Sequence, residues 1–198
     1  MVNKNTIDDE DVIEDFTTYL YYDVLLKNGY EIVDVCKGVW CKDGDEIVYV
    51  LKDKDNIYYI SKMHCNSKFC NSWGRMKEIY KEMERLNIGP KIYKFLDEEM
   101  ICIMECGYET YDNYLKDETV TKNVKDIIDT LHENGYLHGD IHAHNIMVRK
   151  DKTPFLIDFE NTSHIDIDDL SFIFKNYGIN DIKECVQQEK ENFDLVMV

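Results

Sequence analysis

The chain lacks any apolar run near the roughly 18–20 residues that a bilayer crossing needs, so no membrane span is expected. Its opening residues, MVNKNTIDDEDVIEDF, hold no apolar segment of the kind found in secretory signals. Position 2 is Val, so the Gly required for myristoylation is missing. The expected location is therefore cytoplasmic. Proline occurs only 2 times, while Lys, Asn, Asp, Ile and Tyr are frequent. That usage suggests an AT-rich coding genome, such as that of a large DNA virus or a protist; for a virus, the location would be the host cytoplasm. Basic charge is scarce as well. There are 23 Lys and Arg against 40 Asp and Glu, a net charge of −17. Such a surface repels phosphate backbones and disfavours broad nucleic-acid binding. The 7 cysteines are odd in number and read as free thiols in a reducing compartment. Cys65 and Cys70, beside His64, have no second pair downstream, so a structural zinc is not supported.

What is present is enough for a packed core. Hydrophobic residues make up 44% of the chain. Residues 12–28 place apolar groups at helical intervals, with Gly29 as a C-cap. Strand-like runs follow at 30–41, 45–51 and 57–63, divided by Asp43-Gly44 and by Lys52–Asn56. This turn chemistry predicts an antiparallel meander. Residues 72–87 predict a helix with Ser72 as N-cap and Met76, Ile79, Met83 and Leu86 as its buried stripe. Gly89-Pro90 ends it. Strands are expected near 91–96 and 100–105, and helices at 110–116, 121–134, 166–176 and 180–192. Strands with one helix, then mostly helices, make an α+β plan. The expected division is an N-terminal lobe over 1–104 and a small helical C-terminal lobe over 105–198.

The chemistry concentrates in residues 136–160, YLHGDIHAHNIMVRKDKTPFLIDFE. Asp140 and Asn145 lie in a polar loop between apolar flanks. Asp158 follows Asn145 by 13 residues, at the end of a second apolar run. Two short strands joined by the Arg149–Thr153 turn would bring Asn145 and Asp158 side by side. An amide oxygen and a carboxylate are hard ligands suited to Mg²⁺. Asp140 would remain unliganded and available to orient or deprotonate a hydroxyl nucleophile.

The segment His138-Gly139-Asp140-Ile141-His142-Ala143-His144-Asn145 resembles the kinase catalytic loop, and Asp158-Phe159-Glu160 resembles its Asp-Phe-Gly metal motif. The resemblance implies a two-lobed, protein-kinase-like fold with a shortened C-terminal lobe. It implies ATP and Mg²⁺ as cofactors, Asp140 as catalytic base, and Asn145 and Asp158 as metal ligands. Tyr59-Ile60-Ser61-Lys62 is similar to the strand that carries the phosphate-binding lysine, which assigns that role to Lys62, with Lys52 as a rival. Its helix partner would be Glu78 or Glu82, and Glu78 is preferred because it lies beside the buried stripe. In the first turn, Gly44 would approach phosphate, though three acidic residues surround it. Met104 would be the gatekeeper, with Glu105 and Cys106 offering main-chain groups to adenine. Asp169 resembles an acid that braces the catalytic loop in small kinases, with Asp166 and Asp168 as competitors.

The departures narrow the resemblance. Gly139 stands where ordinary protein kinases have the Arg that reads activation-loop phosphate, and His142 stands in place of Lys. Only 38 residues follow Glu160, too few for a large helical lobe. The plan is similar to the RIO kinases and the small kinase of the KEOPS tRNA-modification complex. The His-Gly-Asp-x-His-x-x-Asn form is also similar to aminoglycoside, choline and lipopolysaccharide-sugar kinases. The expected activity is an atypical serine/threonine protein kinase acting on a protein substrate or within a partner complex. The alternatives are a small-molecule kinase for a sugar or amino-alcohol, and a nucleotide-binding scaffold or weak ATPase. Oligomeric state is not indicated.

Overall fold

A computed structural model describes residues 22–37, 47–63 and 72–193. Residues 22–27 are helical (α1). Five strands follow in one antiparallel sheet: β1 (Glu31–Lys37), β2 (Ile47–Lys52), β3 (Tyr58–Met63), β4 (Ile92–Leu96) and β5 (Ile101–Glu105). Their spatial order is β1-β2-β3-β5-β4. Between β3 and β4 the chain forms helix α2 (Trp73–Arg85).

Alternation along the strands gives the sheet two apolar faces. Tyr49, Leu51, Tyr59, Ile101 and Ile103 form one cluster with Leu25 of α1. Ile60, Cys102 and Met104 belong to the other, where α2 adds Met76, Ile79, Tyr80 and Met83. Each fully buried side chain of this kind is worth about 1.5–3 kcal/mol, which makes the α2 stripe the main anchor of the helix on the sheet. The Ser72 hydroxyl caps α2 by accepting from the Arg75 amide. The helix stops where Ile88 and Gly89 both donate to the Met83 carbonyl. A Cβ on Gly89 would lie 2.7 Å from that of Met83, so only Gly fits this close return.

The second half is helical with short hairpins. Its elements are β6 (Glu109–Thr110), a 3₁₀ turn (Tyr111–Tyr114), α3 (Glu118–Glu133), β7 (Tyr136–Leu137), a 3₁₀ turn (Ala143–Asn145), β8 (Ile146–Val148), β9 (Pro154–Leu156), a 3₁₀ turn (Phe159–Asn161), β10 (Ser163–His164), α4 (Ser171–Tyr177) and α5 (Ile182–Asn192). This is the expected α+β, kinase-like architecture. Two local expectations change. The 110–116 pattern is a single 3₁₀ turn, and α3 begins earlier than expected because Asp117 accepts from the Thr119 and Val120 amides. In place of the first part of a 166–176 helix, a turn runs to Ser171, whose amide is held by the Asp169 carboxylate. Among the described residues no helix is long and apolar enough to cross a membrane.

Candidate active site

The β8–β9 hairpin brings the two halves of the motif together. Arg149 and Thr153 close its turn, and the Ile157 amide donates to the Asn145 carbonyl at 2.9 Å. Asp158 is the next residue. It adopts a left-handed conformation with φ 69°, an uncommon state for a non-glycine residue, and the buried ring of Phe159 holds it there. That ring packs edge-on to Tyr80 of α2 at 5.4 Å and tilted against His138 at 5.2 Å.

The catalytic-loop segment is equally constrained. The Asn145 side-chain amide donates to the Asp140 carbonyl at 2.9 Å and to its Oδ2 at 3.2 Å. This leaves the Asn145 Oδ1 as the end available to a cation. His138 is fully buried, with Nε2 2.9 Å from the Ile157 carbonyl oxygen. Gly139 has φ +82°, and a Cβ there would sit 2.8 Å from the Asn161 carbonyl oxygen. The Gly in place of Arg is therefore a backbone requirement at this position.

The loop is held from behind by Glu189 of α5, which has no exposed surface. Its Oε1 accepts from the Gly139 amide at 2.7 Å and the Tyr177 hydroxyl at 2.9 Å. Its Oε2 accepts from the His138 amide at 3.2 Å and lies 2.8 Å from His132 Nε2. Burial opposes the charge on this carboxyl, but the hydrogen bond with His132 and the loop amide hold its pKa below the ordinary value. The Asn176 side-chain amide adds a bond to the Gly139 carbonyl. Sequence reasoning assigned the brace to Asp169, whose carboxylate instead accepts from the Ser171 amide at 2.9 Å. Asp168 ties this turn to α2: its Oδ2 accepts from Arg75 at 2.6 Å and from the His164 amide at 2.7 Å. The signal for Glu189 lay in α5. Cys185, Glu189 and Phe193 are spaced by four on one buried face, so an acid interrupts an apolar stripe.

Lys62 reaches this site from β3. In register it pairs with Cys102 of β5, so it points to the side of the sheet that carries α2. Its Nζ lies 2.5 Å from Asp158 Oδ1 and 2.6 Å from Glu160 Oε1. Burial alone would raise the Asp158 carboxyl, yet the Lys62 ammonium dominates and holds it well below the usual carboxylate range. Asp158 is thus an anion poised for a cation, and its side chain is 36% exposed. An anionic carboxylate and an orientated amide oxygen, on segments joined by the Asn145–Ile157 backbone bond, are ligand types that fit Mg²⁺, which takes few protein ligands and keeps phosphate oxygens and water.

The remaining expectations fare unevenly. Glu78 is not beside Lys62. Its side chain is 73% exposed and pairs with Arg75, because the helix turns Met76, Ile79, Tyr80 and Met83 inward. Glu82 pairs with Arg85. Gly44 lies outside the described residues. Met104 is buried and registers with Ile60. The Glu105 amide is committed to the Lys91 carbonyl, and its carboxylate grips Arg149 at 2.7 and 2.8 Å, so that amide is not offered to a base. Cys106 is half-buried, with its thiol 3.4 Å from the Gly107 carbonyl oxygen. On the outer side of the loop, His142 Nε2 is 3.6 Å from Asp140 Oδ2, and that carboxylate raises the His142 pKa. His144 pairs with Asp112 at 2.8 Å.

Burial lowers the pKa of His138, so the folded protein keeps it neutral. The unfolded chain protonates near the ordinary value of about 6.5. Its contribution to stability is complete above that value and falls as pH drops through it, since only the unfolded state then binds the proton. Thermal unfolding between pH 7.5 and 5.5 should show a falling midpoint, with a shallower fall in His138→Gln. An equal slope in both proteins would refute this.

No curated protein matched the chain. The model of the phosphotransferase enzyme family matches residues 109–169. That stretch holds Asp140, Asn145 and Asp158. The matched segment is similar to a phosphotransferase, and together with the fold it supports a kinase-type enzyme.

Proposed function

We propose that the protein transfers the γ-phosphoryl group of ATP, with Mg²⁺, to a hydroxyl on a protein serine or threonine, either a free substrate or a member of a partner complex. One observation carries the reading. A continuous chain of contacts runs from Asp140 through Asn145 and the Ile157 amide to Asp158 and Lys62, so the four groups needed for transfer share one site. Asp140 orients the acceptor hydroxyl and takes its proton as the oxygen attacks phosphorus and ADP leaves. Lys62 steadies the phosphates, while Asn145 and Asp158 hold the metal. Bound Mg²⁺ would neutralise charge on the transferring group. Asp140 is 41% exposed and His144 is 77% exposed, an open acceptor side that suits a large substrate.

A second reading, a small-molecule hydroxyl acceptor, is favoured by the family match over 109–169. Incubation with labelled ATP, Mg²⁺ and a panel of proteins, sugars and amino-alcohols separates the two. Protein labelling that disappears in Asp158→Ala is the expected result. Labelling that survives the substitution would overturn the metal assignment. Transfer to small compounds alone would establish the second reading, and hydrolysis without transfer would leave a weak ATPase.

A further inference from the structure

We infer that Glu160, and not a carboxylate on helix α2, is the residue that positions Lys62. The inference rests on the phosphotransfer reading for its purpose, though its geometry stands alone. Lys62 Nζ lies 2.6 Å from Glu160 Oε1, with side-chain exposures of 12% and 7%. Removing one partner of a contact so withdrawn from water leaves the other buried and uncompensated, so the position of the lysine depends on this carboxyl. The α2 side chains that meet Lys62 and Glu160 around one small cleft are Trp73, Met76 and Tyr80, none of them acidic. Glu78 and Glu82 are engaged with Arg75 and Arg85 on the outer side of the helix.

Glu160 also sits on a rigid support. It belongs to the 3₁₀ turn Phe159–Asn161, and Phe159 is clamped between Tyr80 and His138. Asp158 stands two residues earlier, immediately before that turn. The lysine and the metal carboxylate therefore take their positions from one short segment. In this arrangement Glu160 keeps the ammonium in the cleft when Asp158 turns to a cation. Without it, Lys62 still lies 2.5 Å from Asp158 and competes with the metal for that carboxylate.

Two measurements test this, using the full chain. The first needs no nucleotide: the acylation rate of the Lys62 amine, followed by mass spectrometry. Glu160→Gln should raise it several-fold, because an amine no longer held by the buried Glu160 carboxylate can leave the cleft and meet the reagent. Glu78→Gln and Glu82→Gln should leave it unchanged. An unchanged rate in Glu160→Gln, or a raised rate in either helix variant, overturns the inference. The second is Mg-ATP affinity by titration. Glu160→Gln should weaken binding by about ten-fold or more, the value of a charged hydrogen bond. The same change in a Lys62→Met background should have no further effect. Additive losses would overturn the inference. Should Glu160→Gln fail to fold, Glu160→Met, which removes the carboxylate at similar length, supports the same comparisons. A wild-type protein that neither binds nor uses ATP would remove the proposed function, while the acylation rates would still decide the role of Glu160.

Discussion

Replacing Asp140 by Asn should lower the rate of phosphoryl transfer by about 10²–10⁴-fold, the usual loss when a positioned base is removed. Mg-ATP affinity should change by no more than a few fold. The separation follows from the contacts. The Asn145 side chain binds the Asp140 carbonyl at 2.9 Å as well as its carboxylate, so the loop keeps its main anchor in the variant. Gly139 remains bonded to Glu189 and Asn176. What is lost is the proton acceptor, and His142 at 3.6 Å from that carboxylate loses its anion too. Single-turnover transfer and equilibrium titration in parallel check the claim. A variant that retains more than a tenth of the wild-type rate would show that Asp140 is not the base.

Replacing Glu189 by Ala should destabilise the fold by about 3–5 kcal/mol, the range for removing one partner from a buried charged network. At this size each kcal/mol shifts the melting midpoint by about 2–4 °C. The change would orphan the amides of His138 and Gly139, the Tyr177 hydroxyl and His132 in one step. Glu189→Gln keeps the volume but turns a donor toward amides that also donate, so it should lie between Ala and wild type. Urea denaturation of the three proteins measures the order. A midpoint unchanged in Glu189→Ala would remove the carboxylate from the support of the loop.

Much of this was legible in the chain because it is local. Turn residues, period-two runs and the Asn145-to-Asp158 spacing act over a few residues, and they led to the meander and to the hairpin that joins the Asn145 and Asp158 segments. The α2 cap and stripe were legible for the same reason. The misreadings share a physical cause. Glu78 was preferred because it lies beside the buried stripe, but a neighbour of the stripe need not share its face, and the face toward the lysine carries Met76 and Tyr80. Asp169 was chosen among three neighbouring acids in a segment that proved to be a turn, where no periodicity distinguishes them. Glu160 and Glu189 each meet their partners about a hundred and about fifty positions away. No local pattern encodes such a pairing, apart from an acid set in an apolar stripe.

The link from α5 to Gly139 also gives the site an order of assembly. As the chain leaves the ribosome, His138 and Gly139 emerge some fifty residues before the carboxylate that fixes them. Through that interval the His138 and Gly139 amides have no Glu189 carboxylate to accept their bonds. A nascent chain that ends near residue 180 would therefore carry every group of the proposed site while two of its loop amides still lacked their carboxylate acceptor.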